Sequence, residues 1–335
     1  MPARSASRLR AHRASSLRAF LLLAAAALGA APAPALAQIV ARPIVEGQKS
    51  VMATHSFNVF IGPNLRTGEP GPLAALAAEA ELEGHEALAV QMIGGSTPMQ
   101  HWNEGDGDDT KNRAKVALRA GGVDVLTMSP NAIMPEEGID LFADFLMETN
   151  PEARLLVQHS WSAWDGHGLT PSVGGNGAPD FSNEDRDEAT LETIQGWIDA
   201  AHAPGGYLER MRAQLQAINE RSGHTMAYVV PSATAVYRLR QEVLHGNVPG
   251  IERQSQLFVD PIGHPARPVV NLVTYVWFIV MYRQPASGLT ALVDPGDPTS
   301  AERERLLQQI AWETVLEEPM SGLLVDREEP VHRHH

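Results

Sequence analysis

Residues 50–57, with the sequence SVMATHSF, form a short apolar run that ends in polar side chains capable of catalysis. The run Gln48–Ala53 predicts a buried β-strand, and Ser56 follows just after it. In a parallel α/β sheet, ligands bind outside the carboxyl ends of the strands. Ser56 is therefore a candidate nucleophile, or else the cap of a following helix or loop, a role that serine fills readily.

Apolar runs and helical patterns alternate along most of the chain. The further predicted strands are Ala87–Ile93, Val123–Met128, Arg154–Gln158 and Thr225–Val230. The predicted helices are Pro72–Glu83, Thr110–Ala120, Glu136–Thr149, Asp187–His202, Tyr207–Arg221, Ala233–Leu244, Pro268–Tyr282 and Ser300–Glu317. This alternation predicts parallel βαβ units and hence an α/β fold, a three-layer α/β/α sandwich with a central parallel sheet.

The first 37 residues have the pattern of a cleaved secretory signal. Scattered arginines precede the apolar segment Phe20–Ala31, and Ala35-Leu36-Ala37 is typical of a cleavage site. The apolar segment is shorter than the about 20 residues that span a bilayer. We expect a signal peptide at 1–37, a single domain at 38–325 and a disordered tail at 326–335. The mature protein is expected to be secreted or periplasmic, with no stable membrane insertion.

The composition argues against a nucleic-acid partner. The formal net charge is -14, and outside the signal no cluster of Lys and Arg forms a face that could bind phosphates. The sequence contains 0 cysteines, so stability depends on an ordinary hydrophobic core rather than on disulfides. Nothing in the sequence predicts a cofactor.

A serine nucleophile needs an imidazole that accepts its proton and a carboxylate that orients the imidazole. The turn Asp260-Pro261-Ile262-Gly263-His264 offers both groups just before an apolar helix. Ser56, His264 and Asp260 are therefore the candidate catalytic residues. Alternatively, Asp260 and His264 are ordinary turn residues that face solvent.

An acyl-transfer intermediate also needs hydrogen-bond donors for its oxyanion. The candidates are the backbone N–H groups of Ser56 and Gly95 and the side-chain amide of Asn131. Glycine suits this task because, without a Cβ, it lets a substrate approach its backbone N–H. Alternatively, Gly94-Gly95 is a plain turn, and Asn131 begins a helix or fills a turn.

These residues resemble the pattern of the SGNH (GDSL-type) hydrolases, in the order Ser56, Gly94 or Gly95, Asn131, Asp260 and His264. In that family a serine follows the first strand, a glycine the second and an asparagine the third, and an Asp-x-x-His turn precedes the last helix. The resemblance covers nearly the whole mature chain. It implies a flavodoxin-like SGNH hydrolase fold and a hydrolase that acts on ester bonds.

The sequence departs from the family pattern in three places. His55 stands where the family has aspartate, and no Gly-Asp precedes Ser56. The block Met128-Ser129-Pro130-Asn131 lacks the final aspartate of the Gly-x-Asn-Asp pattern. The spacing from Asp260 to His264 is one residue longer than in the family, which requires a different turn.

Aromatic residues and histidines follow several predicted strands. The predicted substrate-binding residues are His55, His101, Trp102, His159 and Trp161. The segment Trp161–Asn183 is rich in Gly, Pro and Ser, and its tryptophans favour a rim around the site over a disordered excursion. The histidines could instead be structural or, with an aspartate, bind a metal. No two have a recognised metal-ligand spacing, so we predict no metal.

Together these patterns predict a secreted serine esterase of SGNH type. Its substrate would be a small-molecule or carbohydrate ester. A carbohydrate ester, and hence a deacetylase-like activity, is favoured by Trp161 and Trp164, which are expected to be exposed. The alternatives are a non-catalytic ligand- or carbohydrate-binding protein on the same fold and, third, a metal-dependent hydrolase.

Overall fold

The computed structural model describes residues 38–131, 133–165 and 185–326. Its strands are β1 (Gln38–Val40), β2 (Lys49–Thr54), β3 (Glu86–Met92), β4 (Val125–Met128), β5 (Arg154–Gln158), β6 (Ala227–Val230) and β7 (Leu324–Asp326). Five of them form a parallel sheet in the order β3-β2-β4-β5-β6. Counted from β2, this is the 2-1-3-4-5 order of flavodoxin-like folds.

Helices connect the parallel strands and cover the sheet. They are α1 (Pro72–Glu79), α2 (Pro98–Trp102), α3 (Arg113–Ala120), α4 (Glu137–Thr149), α5 (Leu191–His202), α6 (Tyr207–Ser222), α7 (Ser232–Leu244), α8 (Arg267–Tyr282) and α9 (Ser300–Glu317). Single 3-10 turns occur at Val59–Ile61, Arg186–Glu188 and Gln254–Leu257.

Side chains of each strand alternate between two hydrophobic cores. On β2, Val51 and Ala53 pack into one core, with α3, α4 and α6, whereas Met52 packs into the other, with α1, α7, α8 and α9. Both faces of the sheet are thus buried, which explains why its strands are mainly apolar, with most of their polar residues at the strand ends. The predicted three-layer sandwich with a central parallel sheet is confirmed.

Helix α8 is the most deeply buried helix of the second core. Every residue from Asn271 to Tyr282 is buried, and the helix packs against α1, α7 and α9. Its start, three residues after His264, is therefore held by the core. The apolar run is a core feature: none of the helices in the described ranges is both long and apolar enough to cross a membrane.

Helix ends differ from the predicted ones by a few residues. The predicted start at Thr110 is too early, because the Asn112 side chain caps α3. The predicted start at Asp187 is too early for the same reason, since Thr190 caps α5. Helix α1 ends before the predicted Glu83, because Glu81 adopts a left-handed φ of 57° that no α-helix continues through.

A two-stranded antiparallel sheet of β1 and β7 was not predicted. Each strand has three residues, too few to show a period in the sequence. Asp326, the first residue of the predicted tail, pairs with Gln38 in this sheet. Residues 1–37, 166–184 and 327–335 lie outside the described residues, so the signal peptide, most of the loop and the rest of the tail stay predictions.

Helix α3 provides a matched test of the core. Leu118 is fully buried, whereas Val116, on the same helix, is 46% exposed. We expect Leu118→Ala to lower the free energy of unfolding by about 2–5 kcal/mol and Val116→Ala to change it by about 0.5 kcal/mol or less. Urea unfolding followed by circular dichroism measures both. Equal losses for the two variants would contradict this packing.

Candidate active site

The loops after the parallel strands place the predicted site residues at one edge of the sheet. Ser56 follows β2, Gly95 follows β3, Asn131 follows β4 and His159 follows β5. The carboxyl ends of parallel strands meet at this edge, where α/β proteins bind ligands.

Ser56, His264 and Asp260 form a continuous chain of hydrogen bonds. Ser56 Oγ lies 2.9 Å from His264 Nε2, and His264 Nδ1 lies 2.5 Å from Asp260 Oδ2. The side chains of His264 and Asp260 are 31% and 33% exposed, so the group is open to solvent. Ser56 is not the cap of a helix, because Asn58 precedes the 3-10 turn at Val59–Ile61.

The turn that carries Asp260 and His264 is a small closed loop. Phe258 and Pro265 bridge its base in antiparallel fashion. Asp260 Oδ1 accepts hydrogen bonds from the backbone N–H groups of Gly263 at 3.0 Å and His264 at 3.1 Å. Gly263 has a φ of 104°, a left-handed value that favours glycine. This loop accommodates the residue by which the turn exceeds the family spacing.

Hydrogen bonds keep the Asp260 carboxylate ionised. Partial burial opposes ionisation, but the bonds from the His264 side chain and from the backbone of His264 and Gly263 outweigh it and lower the pKa of Asp260 below its ordinary 3.8. At neutral pH the carboxylate therefore accepts a hydrogen bond from the Nδ1–H of His264, and the lone pair of Nε2 faces Ser56.

Two buried aromatic rings support the imidazole. The Phe57 ring meets the His264 ring edge-on, with centroids 5.5 Å apart. Trp161 stacks on Phe57 at 4.8 Å, and its Nε1 donates to the Gly263 carbonyl at 2.9 Å. Trp161 thus holds both the ring behind His264 and the turn itself.

The predicted oxyanion donors lie on adjoining loops. Within the described residues, nothing accepts a hydrogen bond from the backbone N–H of Ser56 or of Gly95. Gly95 has a φ of 61°, and an added Cβ would meet nothing within 4 Å, so its left-handed backbone rather than close packing favours glycine. Asn131 Nδ2 donates to the Gly95 carbonyl at 2.8 Å, which ties the two loops together.

Gln158 is a buried supporting residue that the sequence analysis did not single out. Its Nε2 donates to the Phe57 carbonyl at 2.9 Å and to the Ser160 hydroxyl at 2.8 Å. Its Oε1 accepts from Trp277 Nε1, on α8, at 2.6 Å. Gln158, the last residue of β5, thereby links the loop of Ser56 to the end of β5 and to the core helix α8. A glutamine at the end of the otherwise apolar run Leu155–Val157 is the signal that could have revealed it.

His55 and His101 lie inside the protein, 5% and 1% exposed. His55 Nδ1 accepts a hydrogen bond from the Phe57 N–H at 3.2 Å. His101 Nε2 lies 2.7 Å from Ser96 Oγ, whose hydroxyl donates to the Ile93 carbonyl at 2.9 Å. The imidazole of His101 therefore donates to Ser96, and this second Ser–His pair is structural. Burial of both rings is inconsistent with their predicted contact with a substrate.

The side chains of the other predicted substrate-binding residues also pack against neighbouring residues of the protein. His159 and Trp161 are 4% and 3% exposed, and the His159 ring stacks on Tyr207 at 5.4 Å. Trp102 lies on α2 and packs edge-on against Phe142. The expectation that Trp161 is exposed was wrong, and it had been one basis for a carbohydrate substrate.

In the ranges 38–131, 133–165 and 185–326, no group of three or more His, Asp or Glu side chains is placed to hold a metal ion.

No protein-family model matches this chain, and no curated protein sequence matches it. It is similar to the structure of a DUF4886 family protein from Bacteroides uniformis, with 13% identity and a TM-score of 0.46 over 81% of this chain and 96% of that one. A candidate SGNH hydrolase from Slackia heliotrinireducens has 16% identity and a TM-score of 0.36 over 70% of this chain and 100% of its own. An extracellular lipase from Streptomyces rimosus has 11% identity and a TM-score of 0.30 over 56% and 82% of the two chains.

Burial changes the acid–base behaviour of three histidines. It lowers the pKa of His55 and of His101 from 6.5 to about 4, and that of His159 to about 3. The folded protein therefore keeps these rings neutral where the unfolded chain protonates them.

We predict that stability falls in mild acid. The contribution of these histidines is complete above pH 6.5, their pKa in the unfolded chain, and is lost as the pH falls towards about 4. For His55 or His101 the full loss is about 3 kcal/mol, at about 1.36 kcal/mol per pKa unit, and about 2 kcal/mol of it falls between pH 8 and pH 5. Urea midpoints at pH 8 and pH 5 measure it.

The variant His159→Phe isolates one of these groups, because a phenyl ring preserves the stacking on Tyr207 and does not titrate. We expect it to lose less stability than the unmodified protein between pH 8 and pH 5. Its midpoint at pH 8 is the control for packing. The same acid loss in both proteins would contradict the role of His159.

Proposed function

We propose that this protein is a serine esterase of SGNH type that hydrolyses a carboxylic ester with Ser56 as nucleophile. One observation carries the proposal: a hydroxyl, an imidazole and a carboxylate stand in hydrogen-bond contact, with 2.9 Å from Ser56 to His264 and 2.5 Å from His264 to Asp260. This is the order of groups that activates a serine for acyl transfer.

The reaction begins when Ser56 Oγ attacks the carbonyl carbon of the ester. The hydroxyl proton passes to His264 Nε2, and the carbonyl electron pair moves to the oxygen. When that pair returns, the bond to the alcohol breaks, and Nε2 gives its proton to the leaving oxygen. Water then attacks the acyl-serine with Nε2 as base, which releases the acid and restores the Ser56 hydroxyl.

Asp260 contributes by orientation and charge. Its lowered pKa supports a carboxylate at neutral pH, and the bond to Nδ1 selects the tautomer whose Nε2 accepts the serine proton. The same carboxylate stabilises the imidazolium that forms after proton transfer. Loss of this orientation costs up to about 10⁴-fold in kcat in serine proteases, so Asp260→Asn is expected to be strongly impaired.

The backbone N–H groups of Ser56 and Gly95, with the amide of Asn131, are proposed to bind the oxyanion. That the backbone N–H groups of Ser56 and Gly95 donate to no described residue supports this assignment. Each such donor is typically worth about 10²–10³-fold in kcat. Asn131 is the member that a substitution tests directly, since the other two donors belong to the backbone.

The substrate is proposed to be a small-molecule or carbohydrate ester. Burial of Trp161 removes one argument for a sugar substrate. We therefore propose hydrolysis of an ester bond and name no particular alcohol. The acidic composition supports the absence of a nucleic-acid partner. Export to the periplasm or medium through residues 1–37 is part of the proposal, and the N-terminal residue of the purified mature protein, read by mass spectrometry, tests it.

We expect Ser56→Ala to lower kcat on p-nitrophenyl acetate and butyrate by about 10³-fold or more, because alanine has no side-chain oxygen that could form the acyl intermediate. Ser222→Ala is the control, since the Ser222 hydroxyl donates to the Asn219 and His224 carbonyls, at 3.0 and 2.6 Å, before the amino end of β6 and away from the proposed chemistry. It should keep its activity. Circular dichroism verifies that both variants are folded.

Other outcomes of this assay decide between the hypotheses. Activity that survives Ser56→Ala would refute the nucleophile. A wild-type protein inactive on every ester would favour the non-catalytic binding protein. Activity lost to a chelator and restored by zinc would favour the metal-dependent hydrolase.

The hydrolysis rate is expected to fall on the acid side, because a protonated His264 cannot accept the Ser56 proton. Asp260 does not produce this fall, since its pKa is lowered and its carboxylate stays ionised in mild acid. Initial rates are measured across the pH range, with the folded fraction recorded at each pH to separate acid unfolding. A flat profile into strong acid would contradict His264 as the base.

A further inference from the structure

Three consecutive carbonyl groups of the catalytic turn accept hydrogen bonds from one neighbouring part of the chain. The pairs are Arg186 Nη2 to Pro261 O at 2.8 Å, Trp164 N to Ile262 O at 3.0 Å and Trp161 Nε1 to Gly263 O at 2.9 Å. These carbonyls are all those between Asp260 and His264. The backbone that joins the two catalytic side chains is thus held at every residue.

A buried ion cluster holds Arg186 in place. The guanidinium of Arg186 donates to Asp165 Oδ1, and Arg240 donates to both oxygens of the same carboxylate, at 2.9 and 2.8 Å. The side chains of Arg186, Asp165 and Arg240 are 4%, 5% and 1% exposed. With one arm on a carboxylate and the other on a carbonyl, the planar guanidinium has a defined direction.

The backbone at this cluster is strained. Trp164 and Asp165 have φ values of 49° and 52°, a left-handed conformation that is unfavourable for residues with a side chain. Such residues persist where the surroundings over-determine them, and they concentrate at functional sites. Here the surroundings are the two arginines on Asp165 and the bond from Trp164 to the catalytic turn.

Arg186 also contacts the base and the side of the turn. Its guanidinium lies 4.3 Å from the centroid of the Phe258 ring, the residue that pairs with Pro265 at the base of the loop. A Cβ on Gly263 would stand 2.7 Å from Arg186 Nη2. The turn and the arginine approach so closely that glycine is the residue that fits between them.

We propose that Arg186, locked by Asp165 and Arg240, is a positioning residue that fixes the turn carrying Asp260 and His264. It acts through the Pro261 carbonyl and contacts no reacting atom. The inference rests on the proposed function, because the geometry that it maintains is that of the Ser–His–Asp group.

Positioning of this kind has a kinetic signature. The turn lies at the surface, with His264 about one-third exposed, so packing alone restrains it less than a core segment. Misplacement of a catalytic group by about 1 Å costs about 10²-fold in rate. The loss falls on kcat and leaves KM nearly unchanged, because the substrate does not touch Arg186.

The test uses the full mature chain with Arg186→Lys. Lysine keeps the charge beside Asp165 but lacks the fork that bonds the carboxylate and the Pro261 carbonyl together. We expect roughly 10- to 100-fold slower covalent labelling of Ser56 by a fluorophosphonate probe, and an equal loss of kcat with little change in KM. The proton NMR signal of the His264–Asp260 hydrogen bond, identified by its loss in Asp260→Asn, is expected to broaden or shift.

Arg303→Lys is the matched control. Arg303 is 7% exposed and bonds the Asp297 carboxylate at 2.5 Å and the Pro249 carbonyl at 3.0 Å, but it lies on α9. This variant should lose comparable hydrogen bonds of a buried guanidinium group without any change in the labelling rate or in the NMR signal. Thermal unfolding of both variants separates stability from positioning.

Trp161→Phe is the second variant that tests how the turn is held. Its result is the one used when Arg186→Lys does not fold. Trp161→Phe keeps the ring on Phe57 and removes the donor to Gly263 O, so slower labelling and a shifted NMR signal are again expected. Folded variants with wild-type labelling and an unchanged signal would overturn the proposal. If the wild type itself is not labelled, the proposed function fails, and the NMR signal alone then decides whether Arg186 positions the turn.

Discussion

The hydrogen bond between His264 Nδ1 and Asp260 Oδ2, 2.5 Å long, is the interaction on which the rest of the site depends. It directs the Nδ1 proton to the carboxylate and leaves the lone pair of Nε2 towards Ser56. Asp260 and His264 share one short turn, but Ser56 is 208 positions away in the sequence. The site therefore requires the fold to hold this turn against the loop after β2.

The fold meets this requirement from inside the core. Helix α8, buried along most of its length, determines where the turn ends, and Gln158 ties the loop of Ser56 to both the sheet and α8. Core packing is dense, so such supports move little. On the outer side, the turn depends on polar contacts from Trp161 and Arg186, which is why the surface half of the site needs a buried ion cluster.

Burial separates His55, His101 and His159 from the candidate catalytic His264. The sequence pairs His264 with Asp260 on one turn, but it does not show whether the other three rings face a substrate or the core. The His55 ring is enclosed and bonded to the Phe57 N–H. Which way such a ring points depends on the backbone rotation of one or two loop residues, and periodicity carries no record of that rotation.

The sequence by itself determined the layers of the fold, because strands buried on both faces are mainly apolar between their ends and the helices between them keep their own period. It also predicted that Ser56 meets the turn of Asp260 and His264, since the ends of parallel strands share one edge. Only the tertiary structure decided that Trp161 is buried and that Arg186 donates a hydrogen bond to the turn. Those contacts join residues far apart in the chain, and their geometry follows from how the packed elements meet rather than from any local pattern.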